Sequence, residues 1–359
     1  MNNQVKSNLA IKIKTLSPIH IGSGNKLTNI DFVIQNKTLT VISFDKLIFT
    51  LRENRKQIDE LINYLERKKK ELPRELQNHI IKNLQNIKKY IIKFNDSILK
   101  KFEKNPNEIE IFENKEVLEF IKTSDSKPYI PGSEIKGAIR TAILYKILKD
   151  KWEQYKNDIC YIEEEKDNKT NQIISIKNDK KLANKLEQNI FGEYSNDIMK
   201  YFLVSDSSYV NDIYIYEIHI SNAKRTITEY AECINENENL EFLLKINKNL
   251  NHKYKDYITN WKNCCYEFTK DLISVEKEYW KNNNRTIFEF LNHLEKKNTN
   301  ETPILRLGRF TGKLSHTIII LLKIKELESN GKIKLKKNIF PKTRRYTSDN
   351  KLLGWIQFL

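Results

Sequence analysis

PYIPGSEIKGAIRTAIL, Pro128 to Leu144, holds an extended run, a break and the start of a helix. Pro131-Gly132-Ser133 interrupts the run, and Ser133 is the expected N-cap of a helix over residues 133–148. Ile135, Ile139, Ala142 and Ile143 recur at helical spacing and mark its core face. Lys136 and Arg140 are four apart, so they share a face one turn from the helix start. Gly132 and Gly137 remove side chains that would block close approach of a backbone. Free N–H groups, the helix dipole and two cations thus converge, as a phosphate site requires. The same residues allow a plainer reading, in which Glu134 offsets the dipole and the helix simply packs.

Working outward, two further segments share this character. They are SPIHIGSG, Ser17 to Gly24, and LRLGRFTGKLS, Leu305 to Ser315. The chain has only 9 glycines, and the three segments hold Gly22, Gly24, Gly132, Gly137, Gly308 and Gly312. So uneven a distribution points to backbone positions that need positive φ or close approach. Gly22-Ser23-Gly24 follows a strand and suits a backbone cradle. Gly308, Arg309, Gly312 and Lys313, with Phe310 between them, suit an extended single strand of RNA: amides and cations hold phosphates and the ring stacks on a base. A Walker A loop is excluded, because three residues separate the glycines and Leu314 follows Lys313. Of the scarce arginines, Arg140, Arg225, Arg306, Arg309, Arg344 and Arg345 lie in or beside these segments or the closing stretch. His20 and His316 flank the two outer segments, so a metal-independent, two-histidine ribonuclease is the runner-up. No histidines or cysteines carry metal-ligand spacing, and no metal or cofactor is expected. Asp206, in LVSDSS, reads as a turn residue.

A chain of 359 residues suits two ordinary domains, or one with a large insertion. The net charge of +16 implies an anionic partner, although lysine, asparagine and isoleucine are overused throughout and discount that signal. No apolar run reaches membrane-spanning length and MNNQVKSNLAIKIK lacks a signal-peptide core, so a cytoplasmic protein without membrane contact is expected. Residues 9–16 alternate as a strand, and 30–34 with 38–42 form a hairpin about Asn36-Lys37. Residues 46–122 read as a helical insertion. Leu61, Ile62 and Leu65 mark one face, and Ile80, Leu84, Ile87, Ile91, Phe94 and Ile98 mark another, which Pro73 opens. Loops and a helix ending before Gly192 fill 151–190, and strands follow at 201–204, 213–220 and 240–246. A long helix over 252–280, a helix over 314–328 and a final strand GWIQFL complete the chain. The order fits an α+β fold with antiparallel sheets and helices on one face.

Together the three segments resemble the RAMP superfamily of CRISPR effector proteins. IFGE with LVSDS (190–207), NAKRTITEYAE (222–232) and the late Gly-rich loop 305–315 match its later elements. The closing PKTRRYTSDNKLLGWIQFL is similar to the type III-A member that caps the crRNA 3′ end. The resemblance implies two ferredoxin-like, RNA-recognition-motif-like domains, 1–209 and 210–359, with the helical insertion in the first. It implies a non-catalytic crRNA-binding and assembly subunit that contributes to crRNA maturation in antiviral defence. The RNA would be held by His20, Gly22, Ser23, Gly24, Gly132, Ser133, Lys136, Arg140, Arg225, Gly308, Arg309, Gly312 and Lys313. The implied partners are crRNA, adjacent RAMP backbone subunits and a recruited trimming nuclease. The alternative is a RAMP endoribonuclease acting on crRNA precursors through His20 and His316.

Overall fold

Two sheets and two long helices make the body of the molecule. The computed structural model describes every residue except 1–8, 68–71, 166–167, 177–181, 223–224, 248–250 and 337–339. The first sheet is antiparallel, in the order Ile304–Arg306, Trp355–Phe358, Leu9–Thr15, Asn239–Ile246, Phe202–Val204. Alternation in its sequence decides which face is covered. Leu240, Phe242 and Leu244 are buried under the helices Gly132–Asp150 and Trp261–Trp280, while Asn239, Glu241 and Leu243 are exposed. The Gly132–Asp150 helix is apolar on most sides, and Ile135, Ile139, Ala142, Ile143, Tyr145 and Ile147 are fully buried. Each of these isoleucines contributes about 1.5–3 kcal/mol relative to exposure. Tyr145 and Lys149 tie this helix to Asp271 of the second, at 2.6 and 2.5 Å.

The second sheet is mixed, in the order Gly22–Leu27, Val117–Phe120, Arg225–Cys233, Tyr214–Asn222, Lys88–Phe94, Thr38–Ile42, Phe32–Gln35, and Arg344–Thr347 also pairs with Tyr214–Asn222. Both large sheets take strands from either side of residues 209 and 210, so the two halves of the chain interleave. A small third sheet joins Cys160–Glu165, Asn168–Ile176 and Ile333–Leu335.

The α+β expectation holds, but not antiparallel pairing throughout, since Tyr214–Asn222 runs parallel to Lys88–Phe94 and Arg225–Cys233 parallel to Val117–Phe120. The hairpin holds, and Asn36 and Lys37 both adopt positive φ between its strands. Three further expectations are corrected. The 46–122 block is not wholly helical. The helix Arg74–Ile87 gives way to the strand Lys88–Phe94, because Ile92 and Phe94 are buried with period two while Ile91 is exposed. The block contains the strand Val117–Phe120 as well, and in its helix Arg55–Arg67 Leu61 is buried whereas Ile62 and Leu65 are exposed. The stretch 151–190 holds a helix and two strands before its last helix. The helix read over 252–280 is two, Lys255–Thr259 and Trp261–Trp280, broken at Asn260. Tyr254, Ile258, Trp261, Cys265, Phe268, Leu272 and Val275, spaced close to the helical period, are all buried in the core.

Candidate nucleic-acid interface

The first and third glycine segments meet directly. After the first strand the chain bends at Pro18, whose carbonyl accepts from Gly354 N at 2.8 Å. His20 O then accepts from Arg309 N at 2.8 Å. Gly308 has φ +85°, and a Cβ there would stand 2.5 Å from His20 O, so only glycine fits this crossing. The loop is locked from within. Thr311 Oγ1 donates to Gly308 O at 2.8 Å, and His316 Nε2 lies 2.5 Å from Thr311 Oγ1. The Gly132–Asp150 helix meets the Lys313–His316 turn, and burial pushes the His316 ring below its ordinary value against the Gly308 carbonyl and, more weakly, Glu134 of the helix's first turn. All three segments therefore gather at one place. Arg309 and Lys313 are exposed there, with no ion-pair partner among the described residues.

The individual side chains divide into those free to meet a ligand and those already engaged. Ser133, Gly137, Gly22, Ser23 and Gly24 are exposed, and Lys136 is half-buried. Burial pushes the Lys136 ammonium down from its ordinary value, and Asp197 partly opposes that shift. Ser133 is not the N-cap. The helix begins at Gly132, whose N–H donates to Asp206 Oδ1 at 2.8 Å, so the supposed turn residue caps a helix 74 positions away. That carboxylate occupies a donor that the local sequence pattern assigns to phosphate. Gly132 itself packs on backbone, since a Cβ would lie 2.5 Å from Val204 O. Arg140 is held by Glu187 at 2.9 Å and Asp197 at 2.7 Å, with its guanidinium 4.2 Å from the centre of the Phe191 ring. Gly22, Ser23 and Gly24 are not a free cradle but open the edge strand Gly22–Leu27, and Ser23 Oγ donates to Glu119 Oε2 at 3.0 Å. Arg225 opens its strand, and its side chain lies outside the described residues.

His20 is fully buried, which removes its ring from any RNA contact and from the role of general base. Nδ1 lies 2.7 Å from Glu232 O, so the neutral ring donates there, while buried Nε2 has no partner. The ring stands 5.4 Å from that of Phe310 and braces the loop from below. Burial first, then Arg309 and Lys122, hold its pKa at about 4 against the Glu232 carbonyl. A histidine that stays neutral when folded but protonates when unfolded contributes stability above pH 6.5. That stability is lost as pH falls toward 4, by up to about 1.4 kcal/mol per unit. His20→Asn keeps a donor for Glu232 O without the titration. Urea unfolding at pH 7 and pH 4.5 is therefore expected to show a smaller stability loss in the variant than in the wild type, and equal losses would contradict this account.

Arg306 and Arg344, marked in the sequence among the scarce arginines, are engaged inside the fold, and buried Glu232 carried no sequence signal. Arg306 is buried beneath Trp355 and donates to Leu353 O at 2.8 Å, burial lowering its pKa to about 10. Arg344 is paired with Glu276 at 3.1 Å, so both arginines serve the core. Glu232, at 0% exposure, ion-pairs with Lys122 and accepts from Phe120 N at 2.6 Å and Tyr90 OH at 3.0 Å. Among the described residues there is no group of three metal-ligating side chains, and no helix is long and apolar enough to cross a membrane.

The family model of the RAMP superfamily matches residues 12–315, which hold all three glycine segments. The chain belongs to the RAMP superfamily. Within it the chain is similar to the CRISPR system Cms protein Csm5 of Methanocaldococcus jannaschii, with 27% identity across 90% of this chain and 77% of that one. It is also similar to the protein of the same name from Streptococcus thermophilus, at 30% identity over 37% of each chain. Among solved structures, a chain of a Csm–crRNA–target RNA ternary complex from a type III-A CRISPR-Cas system superposes with a TM-score of 0.72, at 22% identity over 98% of this chain and all of that one. Csm5 of T. onnurineus superposes with a TM-score of 0.64, at 20% identity over 96% and 99%. These two likenesses establish the shared fold.

Proposed function

We propose that this chain is a non-catalytic, crRNA-binding assembly subunit of a type III-A CRISPR effector, that it caps the crRNA 3′ end and that it contributes to crRNA maturation. One observation carries the reading: the loop 308–313 rests on His20 and beside the first turn of the Gly132–Asp150 helix, with Arg309 and Lys313 turned outward and, among the described residues, unpaired. Two cations on a braced backbone suit a ribose-phosphate chain, and Arg309 adds a planar fork. Similarity to the Csm5 proteins supports the choice of complex. The partners are crRNA, neighbouring RAMP backbone subunits and a trimming nuclease recruited to the particle in the cytoplasm. We read the first sheet and its two covering helices as a ferredoxin-type unit with long insertions: Leu9–Thr15, the helix Gly132–Asp150, Phe202–Val204, Asn239–Ile246, the helix Trp261–Trp280 and finally Trp355–Phe358 beside Leu9–Thr15, with Ile304–Arg306 added at the edge. We read each large sheet as one of the two units, assembled from both halves of the chain.

Purified chain is expected to bind single-stranded RNA with an affinity that falls linearly in log–log terms with salt. Arg309→Ala with Lys313→Ala should flatten that slope by about 1.4, or about 0.7 for each phosphate left unneutralised. An unchanged slope removes the loop from the interface. The endoribonuclease alternative makes a different demand, site-specific cutting of repeat RNA in EDTA that vanishes in His20→Ala. The buried, neutral His20 argues against it.

A further inference from the structure

We propose that the cleft at the open edge of the first sheet is a subsite for one nucleotide of single-stranded RNA, with Tyr209 as the adjoining base-stacking platform. This rests on the RNA-binding reading above and adds to it a place and a mode of contact. The cleft, of about 500 Å³, runs from the outer face of the sheet over the edge strand Phe202–Val204 to the first turn of the Gly132–Asp150 helix. Ser133 and Lys136 line one side, and Leu203, Leu243 and Lys245 line the other. Leu203 is 51% exposed and Leu243 46%, so the floor offers apolar surface that the fold itself leaves uncovered. Neither Lys136 nor Lys245 has an ion-pair partner among the described residues. Apolar floor and unneutralised ammonium groups on opposite walls suit a base and its flanking phosphates.

The segment leaving the cleft leads to Tyr209. Ser205 N donates to Leu243 O at 3.0 Å and Ser208 N to Glu241 O at 2.7 Å, while Ser205 Oγ and Ser208 Oγ accept from Leu243 N and Glu241 N. On its other flank Ser207 N donates to Ile130 O and Val210 N to Pro128 O, at 3.0 and 2.9 Å. A segment held on both sides fixes the Tyr209 backbone, yet the residue is 56% exposed. Tyr129 meets that ring edge-on at 6.5 Å, and Lys127 Nζ stands 5.4 Å from its centre. Four residue steps along the chain lead from Ser205 to Tyr209, about 13 Å at most. A strand of RNA lying in the cleft therefore continues past a rigid aromatic face with a cation beside it. Four carboxylates lie nearby: Asp206 Oδ1 is taken by Gly132 N, Glu241 stands on the outer face of the strand that carries Leu243 and Lys245, Asp125 lies 3.9 Å from Lys127 Nζ, and Asp197 acts on Lys136 while it pairs with Arg140.

The test measures binding of a labelled oligouridylate to the full chain at fixed salt. Loss of one stacked base should weaken binding about 5- to 150-fold in Tyr209→Ala, with the melting temperature unchanged because the ring is exposed. Tyr209→Phe should restore wild-type affinity. Lys136→Ala with Lys245→Ala should flatten the salt slope by about 1.4. Wild-type affinity in Tyr209→Ala, or an equal loss in Tyr209→Phe, overturns the stacking subsite. If Arg309→Ala with Lys313→Ala still weakens binding in that case, the RNA-binding reading stands without it. A wild-type chain that binds no oligouridylate and carries no RNA when isolated natively brings down both.

Discussion

Glu232→Ala is expected to lower the stability of the fold by about 3–5 kcal/mol, the range for stripping one partner from a buried ion pair. The carboxylate has no exposed surface and its partner Lys122 is likewise buried. Burial pushes Glu232 up and Lys122 down, so each charge depends on the other, and on hydrogen bonds, to persist. Removing Glu232 leaves the Lys122 ammonium with Glu119 at 3.8 Å and with the Tyr90 hydroxyl and ring. It also leaves the Phe120 amide without its acceptor. The damage reaches the proposed RNA surface, because Glu232 O receives the His20 hydrogen bond and His20 carries the loop at Arg309. Charge is what matters in this argument, so Lys122→Met with Glu232→Gln, which retains an acceptor for Phe120, should recover most of the loss. Urea midpoints for the single and double variants decide it. A single-variant loss below about 1 kcal/mol, or a double variant no better than the single, would show that the pair is incidental.

The cluster also explains where the sequence was legible and where it was not. Local chemistry was readable: Asn36-Lys37 makes its own turn, and the apolar period of residues 133–148 makes its own helix. Ile80, Leu84, Ile87, Ile91, Phe94 and Ile98 also fit a helix, and what overrode it was tertiary, since Lys88–Phe94 is sandwiched between two other strands. The strand Arg225–Cys233 went unread because a buried glutamate sits among its inward residues and breaks the apolar alternation. At the site, the glycines marked the right corners, but the accounting of charge was wholly non-local. Glu187 and Asp197 neutralise Arg140 from 47 and 57 positions away, and Asp206 caps Gly132 from 74. Nothing near Arg140 in the sequence distinguishes it from Arg309, yet one is engaged and the other free. Tyr209 and Lys245 gave no signal for a similar reason, because their proximity to the helix start exists only after the sheet has formed.

Gly354→Ala is expected to destabilise the fold and displace the proposed RNA surface, although Gly354 belongs to none of the three glycine segments. Its N–H donates to Pro18 O at 2.8 Å and its carbonyl accepts from Leu307 N at 2.9 Å. It is thus the stitch between the segment that leads to His20 and the strand that leads to Gly308. Its φ is +91°, a region that costs an L-residue about 1–2 kcal/mol. A Cβ would in addition overlap the Leu307 carbonyl oxygen and the Thr311 methyl group. A backbone oxygen cannot swing aside as a side-chain tip can, so the loop must shift, at a further cost of about 1–3 kcal/mol. Gly24→Ala supplies the control: its φ is +94°, with nothing within 4 Å of the added carbon, so strain alone applies. Thermal melts should therefore separate the two variants by about 1–4 °C, Gly354→Ala being the lower. In RNA titrations Gly354→Ala should lose the part of the salt slope that belongs to Arg309 and Lys313, because those side chains ride on the displaced loop. If Gly354→Ala melts no lower than Gly24→Ala, the close approach at this crossing does not constrain the loop, and the rigidity on which the RNA surface depends must come from the His20 contact alone.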